Sequence, residues 1–568
     1  MNKIDVEGVR SPIIYISIAI LLGSVFWGFY KSKYIWLAVL SVSLFFIVVF
    51  IKSNIAFLFI TVLFFLLSIF NNFNYYNLKI KEDFKGEILV SEVKSYYTLG
   101  KYKGRLLYIE GGKDNLKRGD KINVEGSFTK DINFEMGIIG KITIDEIKGI
   151  SDSLNRKLYR LREKVYKGLK ENTGERKSAL LCSMAFGYSD NIDEEDREEM
   201  KNLGVIHVIS VSGLHVSLIY SVLKKLLGIR LSLVLTIGYV LLTGAAFSSI
   251  RALIMIMLLS LAVVVRKTYN PLAAIAFSAG IITLFNPYAP FKTGFQLSFL
   301  ATLGIILFYK DIRRRMYKFP GYLNDTISIS LSAQILTLPV MVSQFGECSI
   351  MFLLGNLILV PIINILIYLG NIMLVAVYIP TVFDYLSYIV MKIINFLDSL
   401  TLYFDLFFKG SIFVNNSIVI FYCFILISYY LIKNKKESAK FLPLAAIIIL
   451  GITMYSPFLK ISYLGKGSIV VSYRGERKII SNARNVDMKK FKEENIAKEG
   501  YRQAERISIG KDITMNLRGK DYLLDIKGRK YLLRLNSRKN EYENYDIIDF
   551  VNKEAEGFYI INNEIYCF

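Results

Sequence analysis

His207 and His215 are the only histidines in a chain of 568 residues. They stand eight positions apart in an apolar run, with Ser210, Ser212 and Gly213 between them. Imidazoles and hydroxyls at this spacing could do three kinds of chemistry. As metal ligands they would want at least a third protein donor, and none is visible nearby. As nucleophile and base, Ser210 or Ser212 with a histidine lacks the G-x-S-x-G elbow, and the run holds no acidic residue. As cavity-lining groups they fit better: positions eight apart on one helix lie about 80° from each other, so both can border a cavity without sharing a ligand. The plainer alternative is a pair of histidines capping a broken helix.

Arg251 lies in a second apolar stretch, and Gln296, Gln334, Gln344 and Asn356 lie in later ones. A charge at the centre of a bilayer costs about 2.5–3.5 kcal/mol on insertion scales, so such groups face protein or water. The amides either line a polar path or bond one another and glue helices together. A permanently cationic guanidinium is also a stepping place for phosphates.

These residues need a membrane scaffold to hold them. The chain is 53% hydrophobic and 14% aromatic, with 39 Phe and 37 Tyr. That is too apolar for a soluble protein of this length and sets a multi-pass membrane protein as the default. The net charge of +22 reflects basic loops, attraction to a polyanion or anionic lipid, or both. The four cysteines are scattered, so neither a disulfide framework nor a zinc site is expected. No G-x-x-x-x-G-K-[ST] motif is present, so any driving force for transport comes from a partner or the proton gradient.

Three apolar runs open the chain, at Ile13–Tyr30, Ile35–Ile51 and Ile55–Phe70; the first reads as a retained anchor, not a cleaved signal. From Tyr75 to Ile150, short alternating stretches at Glu87–Val93, Arg105–Glu110, Lys121–Glu125 and Ile138–Ile147 predict a small β-barrel or a sandwich. Its aromatics Tyr96, Tyr97, Tyr102, Tyr108 and Phe128 lie beside Lys94, Lys101, Lys103 and Arg105, a mixture suited to stacking unpaired bases over a cationic groove. Leu158, Leu161, Val165 and Leu169 then fall at helical spacing, predicting an amphipathic helix beside the bilayer. Spans follow near 205–223, 230–248, 251–265, 272–286, 295–309, 326–343, 350–379, 384–403 and 411–432, with a tenth at 441–457. The last 110 or so residues are β-rich, with strands expected at Ser468–Tyr473, Lys478–Ser481, Tyr522–Ile526 and Lys530–Leu535. The basic loops Lys310–Lys318 and Lys433–Lys440 belong on the cytoplasmic side, which puts the barrel and the C-terminal domain outside.

The membrane motifs resemble those of the ComEC-type competence family, bacterial DNA-uptake channels. Leu180–Gly187, Glu195–Gly204 and His207–Val216 are similar to the family's helix, polar connector and H-x-x-x-x-S-G-L-H-V. Ser249-Ile-Arg-Ala-Leu253, Asn286-Pro287, Gly294-Phe-Gln-Leu-Ser-Phe-Leu-Ala301, Ala333-Gln-Ile-Leu-Thr-Leu-Pro339, Phe345-Gly346 and Gly355-Asn-Leu-Ile-Leu-Val-Pro361 follow in family order. The resemblance implies a channel that takes one incoming DNA strand, with no cofactor, and whose partners are the lipid bilayer, a DNA receptor and a cytoplasmic DNA-translocating ATPase. His207, Ser212, Gly213, His215, Arg251, Gln296, Gln334 and Asn356 would line its path; Lys94, Tyr97, Lys101, Lys103 and Arg105 would bind DNA in the barrel. It also implies a metallo-β-lactamase-like C-terminal domain, and Ile461–Val471 with Lys478–Ile480 look like a worn copy of its first strands. No histidine follows His215, so the usual two-metal site cannot form and nuclease activity is not expected. Lys292-Thr293 stands where relatives often carry an acidic residue.

The expected architecture is a multi-pass α-helical membrane protein with an OB-fold-like N-terminal barrel and an α/β or β-rich soluble C-terminal domain. Its expected divisions are 1–72, 73–150, 151–203, 204–458 and 459–568. Two rivals to DNA transport remain: a membrane-embedded hydrolase or metal enzyme using His207, His215 and Ser212, and a decayed relative without a transport role.

Overall fold

The computed structural model describes residues 11–567, apart from 31, 33, 95–96, 112–115, 408–410, 434–435, 456, 466, 484–487, 510–512, 520, 527, 536–544, 552–555 and 562–563. The chain divides into two compact units, residues up to 340 with 349–411, and 341–348 with 412 onward. Among the described residues, nine helices are long and apolar enough to cross a membrane.

The first three are α1 (Pro12–Phe29), α2 (Ile35–Lys52) and α3 (Ile55–Tyr76). Proline at the start of α1 gives up an N–H that the helix would leave unsatisfied anyway. Asn54 caps α3 by accepting from the Phe57 N–H. Between α1 and α3, Asn72 Nδ2 donates to Ser24 Oγ at 2.9 Å, and Ser68 Oγ donates to the Ile20 carbonyl at 2.7 Å. Small hydroxyls at this seam let two apolar helices close without leaving a polar group bare in lipid.

Five strands follow: β1 (Asp83–Val93), β2 (Thr98–Tyr102), β3 (Arg105–Glu110), β4 (Asp120–Thr129) and β5 (Ile138–Asp152). They close into a barrel in the order β1-β2-β3-β5-β4, with β3 and β5 parallel. β4 alternates buried and outward residues along its whole length, filling the interior with Ile122 and Val124 beside Ile88, Leu107, Ile109 and Ile142. The sequence pattern foretold every strand but β2. That strand is short and joins β3 through Lys103 and Gly104, both with positive φ (48° and 80°), the two-residue turn that suits strand twist. Tyr75, at the end of α3, pins the barrel to the membrane helices: its hydroxyl donates to the Gly137 carbonyl at 2.9 Å and accepts from the Leu106 N–H at 3.1 Å. Tyr288, from a loop far along the chain, enters the same apolar cluster.

Connector helices come next: α4 (Leu154–Thr173), α5 (Glu175–Phe186) and α6 (Glu194–Asn202). α4 is amphipathic as the leucine spacing predicts, but its buried face also carries Arg156 and Arg162. Arg156 lies 3.2 Å from Asp120 of the barrel, with both side chains below 10% exposed.

The remaining helices of this unit are α7 (Gly213–Leu242), α8 (Phe247–Val264), α9 (Pro271–Phe285), α10 (Thr293–Arg315), α11 (Gly321–Phe345), α12 (Phe352–Ala376) and α13 (Pro380–Phe407). α7 is broken at Gly228, whose φ of 74° and ψ of 177° leave the helical region. A Cβ on Gly187 would meet both the Thr243 carbonyl and Val211 Cγ2 at 3.3 Å, so the two ends of α7 lie side by side. The element is therefore a hairpin of two limbs, each about 22 Å long at 1.5 Å per residue, and its Gly228 corner accounts for the two short spans expected there. α1 and α9 run the same way, with Ser11 beside Asn270 at one end and the Phe29 and Phe291 rings 6.3 Å apart at the other. Two short strands, β6 (Glu347–Ser349) and β7 (Ser411–Phe413), flank α12 and α13.

The second unit holds α14 (Asn416–Lys433), α15 (Leu442–Tyr455) and a β-rich domain. Its strands are β8 (Leu459–Gly465), β9 (Ser468–Tyr473), β10 (Glu476–Ser481), β11 (Glu499–Arg502), β12 (Arg506–Ile509), β13 (Ile513–Arg518), β14 (Asp521–Ile526), β15 (Arg529–Arg534), β16 (Asp546–Asp549), β17 (Gly557–Ile561) and β18 (Glu564–Cys567), with α16 (Met488–Glu494) between β10 and β11. They form a six-stranded sheet, β11-β10-β9-β8-β17-β18, and a five-stranded sheet, β12-β13-β14-β15-β16. Ile461, Val471, Ile480 and Phe558 of one sheet share a core with Met515, Leu524 and Leu533 of the other. α16 is the crossover that joins the parallel pair β10 and β11.

The Asp120–Arg156 pair is the polar clasp between barrel and α4. Asp120→Ala should cost about 3–5 kcal/mol by stranding a buried guanidinium, whereas replacing both residues with leucine and methionine should recover most of that loss. Thermal unfolding of the detergent-purified chain measures the difference; equal melting temperatures for the single and double variants would contradict the clasp.

Candidate functional site

Three of the sequence motifs, those of Gly213, Arg251 and Ser298, meet at one guanidinium. α8 opens after a turn in which Gly244 and Ala245 both take positive φ (88° and 52°), and Arg251 points from its second turn into the bundle. Its Nε donates to Ser298 Oγ at 2.9 Å, its Nη1 donates to Thr302 Oγ1, and the Phe299 ring lies 5.9 Å away. Ser298 and Thr302 are four residues apart on α10, so one helical face offers both hydroxyls. Thr302 is nine residues into α10, roughly 13 Å from its start at 1.5 Å per residue, which puts the guanidinium well inside the membrane layer.

The other side of the site is glycine. A Cβ on Gly213 would stand 2.5 Å from Arg251 Nη2, so only a bare Cα leaves room for the guanidinium here. Among the described residues Nη2 has no hydrogen-bond partner and Arg251 makes no ion pair, while the side chain retains 9% of its surface. The group is thus buried, held on two nitrogens by neutral hydroxyls, and uncompensated by a carboxylate. This arrangement can receive an anion.

Gly213 begins α7, and the residues before it stay irregular. Ser212 and His215 form a reciprocal cap: Ser212 Oγ accepts from the Leu214 N–H at 3.2 Å, and His215 Nδ1 accepts from the Ser212 N–H at 3.1 Å. The Ser212 hydroxyl also lies 2.9 Å from Nδ1. Nδ1, accepting a backbone N–H, is the unprotonated nitrogen, and Nε2 is sealed against the Met184 backbone without a bond of normal geometry. His207 sits in a short 3₁₀ turn and is exposed. The two imidazoles are close enough to interact electrostatically. Ser248 Oγ donates to the Val211 carbonyl at 3.0 Å, which ties this irregular stretch to the first turn of α8.

The amides singled out in the sequence take separate places. Gln296 Nε2 donates to the Pro290 carbonyl at 2.9 Å and closes the loop before α10. Gln334 is half-buried midway along α11, and Asn356 is half-buried in the first turn of α12, next to Gly355, which packs on the Leu203 carbonyl. None of the three bonds Arg251. The hydroxyls that do hold it, Ser298 and Thr302, are inconspicuous in the sequence, although Ser298 lies in the same Gly294–Ala301 motif as Gln296.

In the barrel, Tyr102, Tyr108 and Tyr97 pack against the core, and Phe128 is inside it; Tyr96 lies outside the described residues. Arg105 donates from Nε to the Tyr75 carbonyl at 3.0 Å and from Nη2 to the Asn74 carbonyl at 2.9 Å, closing the carboxyl end of α3. Lys103 stands at the hairpin tip over the Tyr102 ring, and Lys94 Nζ is 3.8 Å from Glu92. Lys101 is exposed. Lys292 meets the barrel at Met136 Sδ, 3.5 Å away, and burial there lowers its pKa.

Residues 184–437 match the family model of the competence proteins. Over 277 residues the chain is 28% identical to ComE operon protein 3 of Bacillus subtilis, covering 46% of this chain and 35% of that one. It is 30% identical over 226 residues to an uncharacterized protein of Aquifex aeolicus, covering 39% and 51%. It is 20% identical over 275 residues to Recombination protein 2 of Haemophilus influenzae, covering 44% and 34%. The chain thus spans about half or less of the length of these relatives. No solved structure matches it. The matched segment begins at the end of α5 and runs past α14, taking in Gly213, Arg251 and Ser298 alike; over these helices the chain carries a competence-protein domain, similar to that of the ComEC-type proteins.

Proposed function

We propose that this chain conducts a single strand of DNA across the cytoplasmic membrane during DNA uptake for competence, with the phosphate backbone passing Arg251. The observation that carries the reading is the guanidinium itself: a charge set deep among membrane helices with no carboxylate, its free nitrogen held against Gly213. An unpaired charge is costly in such a place, and a passing phosphate would compensate it. Below this point the accessible face of the first limb of α7 stays polar, with Ser217, Ser221 and Lys224 following one another toward the Gly228 corner. The same end of the bundle carries Arg266 and Lys267 after α8 and Arg313, Arg314 and Arg315 at the end of α10. By the positive-inside rule that end is cytoplasmic, so the barrel lies outside and receives the strand first.

The barrel's strand order, with β1 pairing both β2 and β4 and β3 parallel to β5, supports an OB-fold-like module for single-stranded DNA. We read the C-terminal domain as a degenerate metallo-β-lactamase-like remnant, supported by two sheets over one core and the β10–α16–β11 crossover. With no histidine after His215 to bind metal, its role would be structural or DNA-guiding. A receptor outside and a DNA-translocating ATPase inside are the partners this scheme requires.

A hydrolase reading has one point in its favour, the 2.9 Å contact between Ser212 Oγ and His215 Nδ1. Both atoms are already engaged by backbone N–H groups of the helix start, and no carboxylate orients the ring, so the contact serves as a cap.

In the competent host, Arg251→Ala should lower transformation by about two orders of magnitude, the loss of a charged hydrogen bond of about 3 kcal/mol. Arg251→Lys, which keeps the charge but not the planar fork, should fall between that variant and wild type. Wild-type transformation by Arg251→Ala at normal protein levels would refute the proposal. Gly213→Val should also reduce uptake, since it forces the guanidinium aside at an overpacking cost of about 1–3 kcal/mol. Counting transformants for Ser212→Ala separates the rivals: a nucleophile would be lost outright, whereas a helix cap costs only about 1 kcal/mol and leaves most uptake intact.

A further inference from the structure

Arg118, Arg162 and Lys101 come from three elements and converge where the barrel meets the membrane helices. Arg162, on α4, is 3% exposed; its Nε has no hydrogen-bond partner, and its Nη1 reaches only the Phe186 carbonyl at 3.4 Å. Arg118, on the turn between β3 and β4, is half-exposed and extends over the α7–α8 turn, where a Cβ on Gly244 would stand 3.0 Å from its Nη2. Lys101, on β2, is exposed on the barrel wall. Phe186, which accepts from Arg162, precedes Gly187, where a Cβ would meet the Thr243 carbonyl at 3.3 Å, next to the Gly244 that Arg118 covers. Lys101 pairs with Leu89, one residue before the Val90 carbonyl that accepts from the Gly119 N–H at 2.8 Å. Among the described residues none of the three makes an ion pair. The carboxylate that bears on Arg162 is Asp190, already occupied by the Tyr159 hydroxyl at 2.6 Å. Arg156 on the same helix shows the contrast, because it is matched by Asp120.

Like charges gathered without counter-charges oppose one another. Desolvation, then Arg118, lowers the Lys101 pKa, and burial, then Arg118, brings the Arg162 guanidinium down to about 10, still charged at neutral pH. An anion placed among them would relieve both effects. The position narrows the anion's identity: the cluster faces the junction of barrel and bundle, and the Gly244 turn beneath it leads directly into α8 and Arg251. A polyanion passing from the barrel to Arg251 by way of the Gly244 turn would meet this cluster.

We propose that Arg118, Arg162 and Lys101 form a phosphodiester-binding threshold, which holds the backbone of a single strand between the barrel and Arg251. The inference rests on the conduction proposed above and adds a second, separately testable binding point.

The test uses the full chain in lipid nanodiscs and a short fluorescent oligothymidylate, with affinity measured against salt concentration. Arg118 is half-exposed and makes no hydrogen bond among the described residues, and Lys101 is accessible, so Arg118→Glu and Lys101→Glu should keep the fold, as circular dichroism would verify. Each should weaken binding roughly tenfold and flatten the salt dependence by about 0.7 per lost single-strand phosphate contact. Arg118→Lys should restore most of the affinity. If either glutamate variant fails to fold, the other and the pair Arg118→Ala with Lys101→Ala still decide. Unchanged affinity and salt slope in these variants, with weakening by Arg251→Ala, would overturn the threshold and leave the conduction proposal standing. No binding by the wild-type chain would overturn both.

Discussion

A guanidinium among membrane helices, without a carboxylate, is the constraint around which the core of this protein is arranged. Arg251 cannot be neutralised at physiological pH, so the surrounding helices must either solvate it or leave it a path to something that will. They do part of the first: α10 presents Ser298 and Thr302 on one face, and these hydroxyls take two of its nitrogens. The third nitrogen is left beside Gly213, where any side chain would intrude. That residual, unsatisfied charge makes the bundle more than a packed membrane anchor.

Several irregularities of the fold surround this guanidinium. The chain before α7 is irregular, and α7 cannot be one long span because it doubles back at Gly228. The cap formed by Ser212 and His215 satisfies a helix start that would otherwise expose backbone N–H groups deep in the bundle. The barrel stands on the same end as the N-termini of α8 and α10, secured by Tyr75, Tyr288 and Lys292. Cations gather at that end, in Arg118, Arg162 and Lys101, and again where α8 and α10 finish.

Much of this was legible in the sequence because lipid permits few solutions. Apolar runs of sufficient length mark the helices, and each span expected between 205 and 457 coincides with a helix or helix limb. Strand alternation revealed the barrel but not β2, which is too short for a pattern to show and is recognisable only through its Lys103-Gly104 turn. The site was half legible. Gly213 and Arg251 were picked by type and motif, and they do touch. Gln296 drew notice over Ser298 because an amide in an apolar run is conspicuous, yet its length lets it bond its own loop, while the plain serine two residues on reaches the arginine. On α4 the leucine spacing predicted a face beside the bilayer. Arg156 and Arg162 turn inward there because the barrel supplies Asp120 and α5 supplies the Phe186 carbonyl, partners no single helix reveals.

The central claim is that Arg251 borders a water-filled path. Cysteine placed at Ser298, in a chain whose four native cysteines are replaced, reports on it directly in intact cells. A membrane-impermeant thiosulfonate should modify that cysteine rapidly, helped by the neighbouring guanidinium, and incoming single-stranded DNA should slow the reaction. A cysteine there that stays unmodified, while one on the exposed barrel hairpin reacts fully, would show the bundle to be dry and contradict the account.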